Sequence, residues 1–474
     1  MRPLEVAGFV LAILPVLAIL AVVPVSVGVA SAALSCAILL LASLWLGAYW
    51  QLIPLYLGVI LALYVLIGMK RERPRWLRAT LVTVVAGLLL LTAEFTYVLP
   101  MFAMPKPTGP YAIGTRIESL VDPVRMETHV AGPAKPREIM VQIWYPATPH
   151  HEHLAGYRRR RETTLLSSYM SVLKTHSYKN AAVATTGAPF PVLLFNPAWG
   201  GQRTQNTYQA EDLASHGFIV VGVDHTYNSR PVAFPDGRVI WSKDLHDISN
   251  FQNTTVAQQM AIGDKEVHIE AGDDALVLNT LSAANLNPRS PWFGRVDANN
   301  AGAFGHSFGG AVAAQICYQD PRVKAALNED GWMFGDVSTR GLDKPYMFMD
   351  DDAPAITSAQ LKSADVPTRR EAELDVADTD NFRKTMSRFG GYYVLILGTR
   401  HFNFADRSLY SPLRRLTDSG SISPERAHQI IESYTLQFFS YYLRNQPAPL
   451  LAENRSPYKE VQFENWFAHN ASRQ

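Results

Sequence analysis

The chain has 474 residues, a formal net charge of +1 and 48% hydrophobic residues. This length predicts more than one structural unit, with a core domain of roughly 250 to 350 residues. The near-zero charge excludes a bulk electrostatic case for a nucleic-acid partner. The two cysteines, Cys36 and Cys317, indicate neither a disulfide framework nor a metal site.

The N-terminal part of the chain is strongly apolar. Residues 6–69 contain no Asp, Glu, Lys or Arg over 64 positions, whereas one bilayer crossing needs about 20 residues. Breaks near residues 24–28 and 47–51 divide this stretch into three short helices, and residues 79–100 supply a fourth candidate. We therefore predict three or four transmembrane helices within residues 1–101, that is, a multi-pass integral membrane protein.

The loop before the fourth candidate helix sets the orientation. Residues 70–78 carry five basic residues and one acidic residue, and short loops rich in Lys and Arg stay in the cytoplasm. Everything after Pro100 is then extracytoplasmic, and with four spans the N-terminus is outside as well. A cleavable signal peptide is an alternative for residues 30–32, but cleavage there would still leave a membrane protein. Buried helices of a soluble core are the other alternative, and uncharged runs this long are rare in such cores.

The chain after the apolar region begins with a Pro-rich linker over residues 102–112. Two strands follow at residues 113–121 and 138–145, and we expect them to form the antiparallel edge of a sheet. Residues 150–187 predict a helical insertion, because Leu, Tyr and Met recur at helical spacing after four consecutive arginines, residues 158–161. This insertion is either a solvated segment or a membrane-facing flap whose arginines contact lipid phosphates.

The rest of the chain alternates apolar strands with helices. Strands are predicted at residues 191–195, 218–223, 300–304, 323–327, 345–349 and 392–397. Helices are predicted at residues 208–216, 255–281 and 423–443, the last being the final regular element. Continuously apolar strands that alternate with helices are typical of a mostly parallel sheet covered by helices on both faces, so the fold class is α/β.

One motif predicts a catalytic nucleophile. The sequence Gly-His-Ser-Phe-Gly at residues 305–309 lies between a predicted strand and a predicted helix, which is the context of the nucleophile elbow of α/β-hydrolases. The serine of such an elbow occupies a strained turn, and glycines on either side prevent collisions. An ordinary glycine-rich turn is the alternative, but the flanking elements favour Ser307 as a nucleophile. The backbone N–H of Phe308, at the start of the helix, is then free to stabilise an oxyanion.

A second oxyanion donor is predicted in the loop Asn-Pro-Ala-Trp-Gly-Gly at residues 196–201. This loop follows a strand at the place where α/β-hydrolases supply such a donor. Its two glycines let backbone N–H groups approach a reacting carbonyl. We nominate the N–H of Trp199, with an ordinary loop as the alternative.

A serine nucleophile needs a histidine base, which follows the serine in the chain order of this fold. Three of the 13 histidines follow Ser307: His401, His428 and His469. His401 lies on the loop after the last predicted parallel strand, at the edge of the sheet where Ser307 also lies. The other two lie in the terminal helix and in the tail, where we expect solvated positions. We therefore predict His401 as the base.

The residues alone leave the acid of the triad open. Asp330 follows the strand after the elbow helix, and Asp350 follows the next strand. Either loop can present a carboxylate to His401, and the fold more often places the acid at the position of Asp350. Glu329 lies on the same loop as Asp330 but has a longer side chain that needs another backbone placement.

From about residue 109 to its end, the chain resembles the platelet-activating-factor acetylhydrolase family of type II and plasma enzymes. The segments that carry the resemblance are residues 212–220, 305–310, 330–334 and 401–406. The resemblance implies Asp330 as the acid, because the family's acid precedes a Trp-Met-Phe run like that at residues 332–334. It also implies Trp199 as the second oxyanion donor, although residues 196–198 differ from the family's usual Ser-His-Gly.

The resemblance implies an activity as well. Family members are serine esterases that remove short or oxidised acyl chains from the middle position of phospholipids, without a metal or other cofactor. Such a protein has a lipid or small-molecule ester as substrate, and membrane lipid as a partner. The apolar N-terminal residues lie outside the resemblance. The alternatives are a polyester- or cutin-type esterase and a non-catalytic, membrane-anchored binding protein.

Overall fold

The structure is a computed structural model that describes residues 1–68, 74–130, 132–241 and 254–467. The described chain forms two compact units. The first unit contains Met1–Ala103, Gly156–Lys174 and Leu409–Leu413, and the second contains the remaining described residues.

Five apolar helices build most of the first unit. They are α1 (Pro3–Leu11), α2 (Ile13–Ile19), α3 (Val25–Leu46), α4 (Ile53–Gly68) and α5 (Arg75–Val98). Three helical segments are long and apolar enough to cross a membrane: Val25–Leu46, Trp50–Gly68 and Arg75–Val98. The first apolar segment of the chain, Pro3–Ile19, is shorter. It is interrupted at Ala12, three residues before Pro15, which cannot donate a helical hydrogen bond.

Hydrogen bonds show which ends of these helices lie close together. The Arg2 guanidinium donates to the backbone carbonyls of Leu46 and Gly47. The Gln51 side chain donates to the carbonyl of Leu99 over 3.1 Å. The start of α1, the end of α3, the start of α4 and the end of α5 therefore lie on one side of the bundle. Of the basic segment 70–78 that is predicted to be cytoplasmic, residues 75–78 form the start of α5, and residues 70–73 lie outside the described residues.

A mixed sheet organises the second unit. Its strands toward the N-terminus are β1 (Ala112–Met126), β2 (Pro136–Thr148), β3 (Leu154–Gly156), β4 (Lys174–Lys179), β5 (Ala182–Val183), β6 (Phe190–Asn196) and β7 (Ile219–Asp224). A separate two-stranded sheet, β8 (Val232–Ala233) and β9 (Val239–Ile240), follows. The remaining strands are β10 (Val296–His306), β11 (Val323–Glu329), β12 (Tyr346–Asp350), β13 (Tyr392–Ile396) and β14 (Val461–Asn465).

The strand order is β14-β13-β12-β11-β10-β6-β7-β2-β1-β4-β3, with β5 paired to β2. The strands from β13 to β7 along this order are parallel, whereas β14, β2 and β1 join antiparallel to their inner neighbours. This arrangement confirms the predicted α/β class. The prediction that β1 and β2 form the edge is wrong, because β4 and β3 extend the sheet beyond β1.

Helices cover the sheet. They are α6 (Thr207–Ser215), α7 (Val256–Leu286), α8 (Phe308–Gln319), α9 (Asp336–Arg340), α10 (Ser358–Leu361), α11 (Val366–Phe389), α12 (Arg414–Thr417), α13 (Pro424–Arg444) and α14 (Pro449–Ala452). Helix α8 packs against α7 and the central strands, and α13 packs against α6 and the same strands. Strands β6 and β7 are buried along their whole length between these layers, as expected for parallel strands.

One prediction about the C-terminal part of the chain is wrong. The helix α13 is not the last regular element, because α14 and β14 follow it. The strand β14 pairs antiparallel with β13. The side chain of Phe463 on β14 is only 6% exposed and packs inward between polar neighbours. A five-residue strand with one buried side chain gives little sequence signal within a polar tail.

The predicted helical insertion at residues 150–187 is also wrong. The segment contains β3, β4, β5 and two short 3-10 turns, Arg160–Glu162 and Ser168–Ser171. Hydroxyl groups compete with helix formation here, since Ser168 Oγ donates to the carbonyl of Leu165 over 2.7 Å. The N–H of Thr164 likewise donates to Ser167 Oγ over 2.9 Å. The helical spacing of apolar residues therefore reflects packing of separate turns rather than one helix.

Candidate active site

Ser307 lies at the turn between β10 and α8. Its φ angle of +57° is rare for a residue with a side chain. Its N–H donates to the carbonyl of Glu329 over 2.7 Å, which ties the turn to the neighbouring strand β11. A Cβ on Gly305 would lie 2.2 Å from the carbonyl oxygen of Gly309, and one on Gly309 would lie 2.0 Å from that of Asn196. Both glycines of the motif are therefore required by close backbone approach.

His401 and Asp330 form a close pair at the same edge of the sheet. His401 follows β13, Asp330 follows β11, and His401 Nδ1 lies 2.5 Å from Asp330 Oδ2. The other carboxylate oxygen of Asp330 accepts the N–H of Asp351 over 3.0 Å. The imidazole is 34% exposed and the carboxylate 9% exposed, so the pair faces solvent through the histidine.

Ser307 lies beside this pair. A Cβ on Gly331, the residue after Asp330, would lie only 1.9 Å from the carbonyl oxygen of Ser307. The ring of His306, the residue before Ser307, lies 4.5 Å from the ring of His401, centroid to centroid. The structure therefore brings the predicted nucleophile, acid and base together from three separate loops.

The electrostatics of the pair suit a general base. Burial opposes protonation of His401, but the hydrogen bond and charge of Asp330, with smaller contributions from Asp351 and Asp418, raise the pKa of the imidazole. Burial opposes ionisation of Asp330, but the hydrogen bond and charge of His401 hold the pKa of this carboxyl below its usual value. The ionised Asp330 accepts a hydrogen bond from the N–H at Nδ1 of His401. Nε2 of the same ring is then the basic nitrogen.

Trp199 lies alongside the start of α8. Its ring packs edge-on against that of Phe308 with a centroid distance of 4.9 Å. Backbone hydrogen bonds fix the loop around Trp199. The N–H of Gly200 donates to Asn228 Oδ1 over 2.9 Å, and the N–H of Gly201 donates to the carbonyl of Ala198 over 2.7 Å. The two residues predicted to supply oxyanion donors are therefore neighbours.

Comparison with known proteins identifies the family. The family profile "Platelet-activating factor acetylhydrolase, isoform II" matches residues 99–235 and 290–447. The chain belongs to this family. The matched residues include the elbow, both carboxylate loops and His401, and the family relationship makes the protein a hydrolase of ester bonds.

Individual relatives agree with the family assignment. The platelet-activating factor acetylhydrolase of Cavia porcellus is 24% identical over 369 residues, which cover 72% of this chain and 78% of that protein. A probable 1-alkyl-2-acetylglycerophosphocholine esterase of Arthroderma benhamiae is 23% identical and covers 76% of this chain and 94% of its own length. The structure of a ferulic acid esterase from Streptomyces cinnamoneus superposes with a TM-score of 0.59 and 27% identity, over 76% of this chain and 99% of that one.

The competing acid of the sequence analysis has a different environment in this family member. Asp350 Oδ2 accepts the hydroxyl of Tyr393 over 2.7 Å. Burial and the nearby charge of Asp330 raise the pKa of Asp350 to about 8. The raised pKa favours the neutral form of Asp350, which adjoins Asp330 rather than the imidazole. Glu329 points elsewhere, toward the amides of Asn206 and Gln209, and burial raises its pKa to about 8.

The carboxylates of Asp330, Asp350 and Asp351 have the spacing of a cation site, because one oxygen of each lies within 4.8 Å of the others. Both oxygens of Asp330 already accept hydrogen bonds from protein donors, one from His401 and one from the N–H of Asp351. Carboxylates engaged in this way suit the orientation of an imidazole better than the coordination of a metal.

Of the other two candidate histidines, the structure describes His428, and its contacts lie outside the triad residues. His428, expected to be solvated, is only 1% exposed, so that expectation is wrong. Its ring stacks on Tyr208 at 3.8 Å, and its Nε2 lies 3.0 Å from Ser408 Oγ. His428 lies on the buried face of the amphipathic helix α13, among apolar residues that pack against the sheet. His469 lies outside the described residues.

Three residues near the site were missed by sequence reasoning: Gln205, His306 and Asp406. The carboxylate of Asp406 accepts the N–H groups of Thr207 and Tyr208 at the start of α6, over 2.9 and 3.1 Å. The N–H of Asp406 donates to the carbonyl of Gln205 over 2.9 Å. These bonds join the loop that carries His401 to the loop that follows Trp199. His306 has a sequence signal as the variable position of the Gly-x-Ser-x-Gly motif, and Asp406 ends one of the segments that carry the family resemblance, whereas Gln205 has neither.

Proposed function

We propose that the protein is a serine esterase in which Ser307, His401 and Asp330 form the catalytic triad. The observation that carries this proposal is the 2.5 Å contact between His401 Nδ1 and Asp330 Oδ2, beside a serine on a strained elbow. An imidazole oriented in this way can accept the proton of a serine hydroxyl as the hydroxyl attacks an ester carbonyl. Asp330 fixes the tautomer of His401 and stabilises its protonated form.

The proposed reaction has two halves. Attack by Ser307 gives a tetrahedral intermediate whose oxyanion accepts the backbone N–H groups of Phe308 and Trp199. His401 then returns the proton to the leaving alcohol, and an acyl group remains on Ser307. Water, activated by the same imidazole, releases the acyl group and restores the serine. No step in this scheme requires a metal or another cofactor.

The proposed substrate is a phospholipid with a short acyl chain at its middle position. The family match and the two acetylhydrolase and esterase relatives support this choice. A polyester- or cutin-type esterase is the second candidate. It is favoured by the ferulic acid esterase structure and by "Cutinase est2" of Thermobifida alba, which is 22% identical over 174 residues, 37% of this chain and 45% of that protein.

We further propose that residues 1–101 anchor the protein by three or four spans and that residues 113–474 form an extracytoplasmic catalytic domain after a linker at residues 102–112. Three helices of sufficient length and the basic composition of residues 70–78 support this topology. An enzyme anchored in this way would take its lipid substrate from the membrane that holds it.

The test is an activity profile on the full-length protein in detergent micelles. Phospholipids with acyl chains from acetyl to palmitoyl at the middle position are compared with an aromatic polyester and a feruloyl ester, and Ser307→Ala is the control. We expect turnover to be highest on the shortest acyl chains and to be absent in Ser307→Ala. Faster hydrolysis of the polyester or feruloyl ester would favour the second candidate, and no hydrolysis of any ester would favour a non-catalytic binding protein.

A further inference from the structure

One segment of the first unit, Gly156–Lys174, packs on the ends of the apolar helices. Trp50 Nε1 donates to the carbonyl of Leu166 over 2.9 Å. At Gly47, an added Cβ would lie 2.7 Å from Val172 Cγ1. Both Gly47 and Trp50 belong to the turn between α3 and α4. The segment is therefore held at the end of the helix bundle.

The composition of this segment matches a membrane interface. Leu165 and Leu166 are 74% and 63% exposed although they adjoin Trp50. Arg160 and Arg161, a few residues earlier, are also exposed. Tryptophan prefers the headgroup level of a bilayer, so side chains at the depth of Trp50 meet the boundary between headgroups and acyl chains. Exposed leucines next to arginines are typical of segments that lie in this boundary.

We infer that Leu165 and Leu166 insert into the bilayer leaflet at the end of α3, with Arg160 and Arg161 at the lipid phosphates. The partner is a lipid surface, because the positive charges of the two arginines are complementary to its negatively charged phosphates. This inference rests on the proposed membrane-spanning role of α3. It gives the segment the role of a membrane contact outside the spans.

A fluorescence experiment tests this inference. Cys36→Ser provides the background, and Leu165→Cys is labelled with the environment-sensitive dye NBD in the full-length protein. The protein is placed in nanodiscs of phosphatidylcholine and phosphatidylglycerol, with or without doxyl-labelled lipids. Leu44→Cys on α3, at a side chain that is 71% exposed, serves as the reference for acyl-chain contact.

We expect blue-shifted emission at both positions and doxyl quenching at both. Quenching at position 44 but aqueous-like, unquenched emission at position 165 would overturn the inference alone. Unquenched emission at both positions would overturn the proposed span of α3 and the inference with it. The two failures are therefore distinguishable.

A different observation concerns the catalytic loops. A chain of hydrogen bonds joins the oxyanion loop to the base. The N–H of Ala198 donates to Gln205 Oε1 over 3.1 Å. Gln205 Nε2 lies 2.6 Å from His306 Nδ1, and His306 Nε2 lies 2.8 Å from the carbonyl oxygen of His401. The chain thus connects the residue before Trp199 with the backbone of His401.

The direction of each bond is determined by its partners. The N–H of Ala198 can only donate, which makes Oε1 of Gln205 the acceptor and Nε2 the donor. His306 Nδ1 must then accept, so the proton of the neutral ring is on Nε2, where it donates to the carbonyl of His401. His306 is fully buried and Gln205 is 9% exposed. Burial and the adjacent His401 lower the pKa of His306 to about 3, which keeps this tautomer neutral.

We propose that Gln205 and His306 are positioning residues that set the oxyanion loop and the base loop relative to each other. This proposal rests on the proposed triad and deepens it. The hydrogen bonds of the pair reach the backbone of Ala198 and of His401 and not the side chains of the triad, although the ring of His306 also packs against that of His401. Buried polar groups in such a chain are costly to leave unpaired, so the loss of one partner displaces both loops.

The test measures kcat and KM on the short-chain phospholipid for three variants: Gln205→Leu, His306→Phe and the double variant. We expect each single variant to lower kcat about 10-fold or more with little change in KM, because transition-state contacts are lost rather than ground-state binding. The double variant should lose less than the product of the two single losses, since both substitutions interrupt one chain. His306→Gln retains a donor near the Nε2 position and should recover part of kcat.

Gln142→Leu is the matched control. Gln142 is a buried glutamine on β2 that donates to Thr115 Oγ1 over 3.1 Å. We expect this variant to lower the thermal midpoint as Gln205→Leu does but to leave kcat unchanged. Wild-type kcat in Gln205→Leu and His306→Phe, in a protein whose Ser307→Ala variant is inactive, would overturn the positioning proposal alone. Activity that does not depend on Ser307 would overturn the proposed triad itself.

Discussion

Backbone conformation at single residues decides which acid meets the imidazole. Asp330 has a φ of +57°, which turns its carboxylate toward His401 directly after β11. Asp350 ends β12 in extended backbone and hydrogen-bonds to Tyr393. The sequence places both aspartates at the same edge of the sheet, and it does not encode this difference in an obvious pattern. For that reason the residues alone left the choice open, and the family resemblance favoured Asp330.

Substitution of the two aspartates should separate their roles. We expect Asp330→Asn to lower kcat on the order of a thousandfold, because the imidazole loses the acceptor that fixes its tautomer. Asp350→Asn should retain most of the activity, since the Asp350 carboxyl accepts a hydrogen bond from Tyr393 rather than from the imidazole. Steady-state kinetics on the two purified variants make the comparison. A larger loss in Asp350→Asn than in Asp330→Asn would contradict the assignment.

The raised pKa of His401 predicts the acid limb of the pH profile. The base is active only when neutral, so kcat/KM should fall as pH drops through the raised pKa, above the ordinary histidine value of about 6.5. Asp418 contributes to this shift through its charge. Asp418→Asn should therefore move the acid limb to lower pH. Asn is tolerated at the positive φ of +51° at this position.

The profile is measured as kcat/KM between pH 5 and pH 9 in wild type and Asp418→Asn. A shift of the acid limb to higher pH in the variant would contradict the stated cause. An acid limb that stays in place would show that the charge of Asp418 does not reach the imidazole.

At the scale of elements, the order of strands and helices was largely predictable. The apolar strands β6, β7 and β10 to β13 all occur close to their predicted residues, because continuously buried strands have a strong signature. The insertion and β14 were not predictable in this way. In the insertion, local Ser and Thr hydrogen bonds override the helical spacing, and in β14 a single buried Phe463 gives too short a pattern.

The turns between these elements fix the relative positions of the triad residues. Gly331 follows Asp330 in the loop after β11. It lies so close to the carbonyl oxygen of Ser307 that a side chain at position 331 would collide with it. We expect Gly331→Ala to lower kcat roughly 100-fold, as misplacement of a reacting group by about 1 Å does. Thermal unfolding should show a lower midpoint in the same variant.

The control for Gly331→Ala is Gly87→Ala on α5, where no described atom beyond the adjacent residues and the helix's own backbone lies within 4 Å of an added Cβ. This control should keep wild-type kcat, and its helix should gain slightly in stability. Wild-type kcat in Gly331→Ala would contradict the close approach of the two loops.

At the scale of the whole molecule, the chain combines a family hydrolase with apolar helices that lie mostly outside the family match, which begins at residue 99. Composition alone predicted this division, because the core of a soluble domain rarely contains an uncharged stretch of 64 residues. The inclusion of Gly156–Lys174 in the helical unit was not predictable. A contact between segments more than 100 residues apart in the chain leaves no mark on local composition.

Cysteine accessibility tests the proposed topology. In a Cys36→Ser background, Lys106→Cys should react with a membrane-impermeant maleimide in intact cells, because residue 106 follows the last span on the outside. Arg75→Cys, at the start of α5, should react only after the membrane is permeabilised. Both positions are exposed, so access to reagent depends on the side of the membrane. The reverse pattern would place the hydrolase in the cytoplasm.

The central claim is that Ser307 is a nucleophile activated by His401 and Asp330, and covalent labelling tests it most directly. The full-length protein is treated with a fluorophosphonate, digested, and analysed by mass spectrometry to locate the modified residue. Our account predicts a single phosphonylated residue, Ser307, with labelling that is lost in Ser307→Ala and greatly slowed in His401→Ala and Asp330→Asn. Labelling at another serine, or ester hydrolysis that persists in Ser307→Ala, would contradict it.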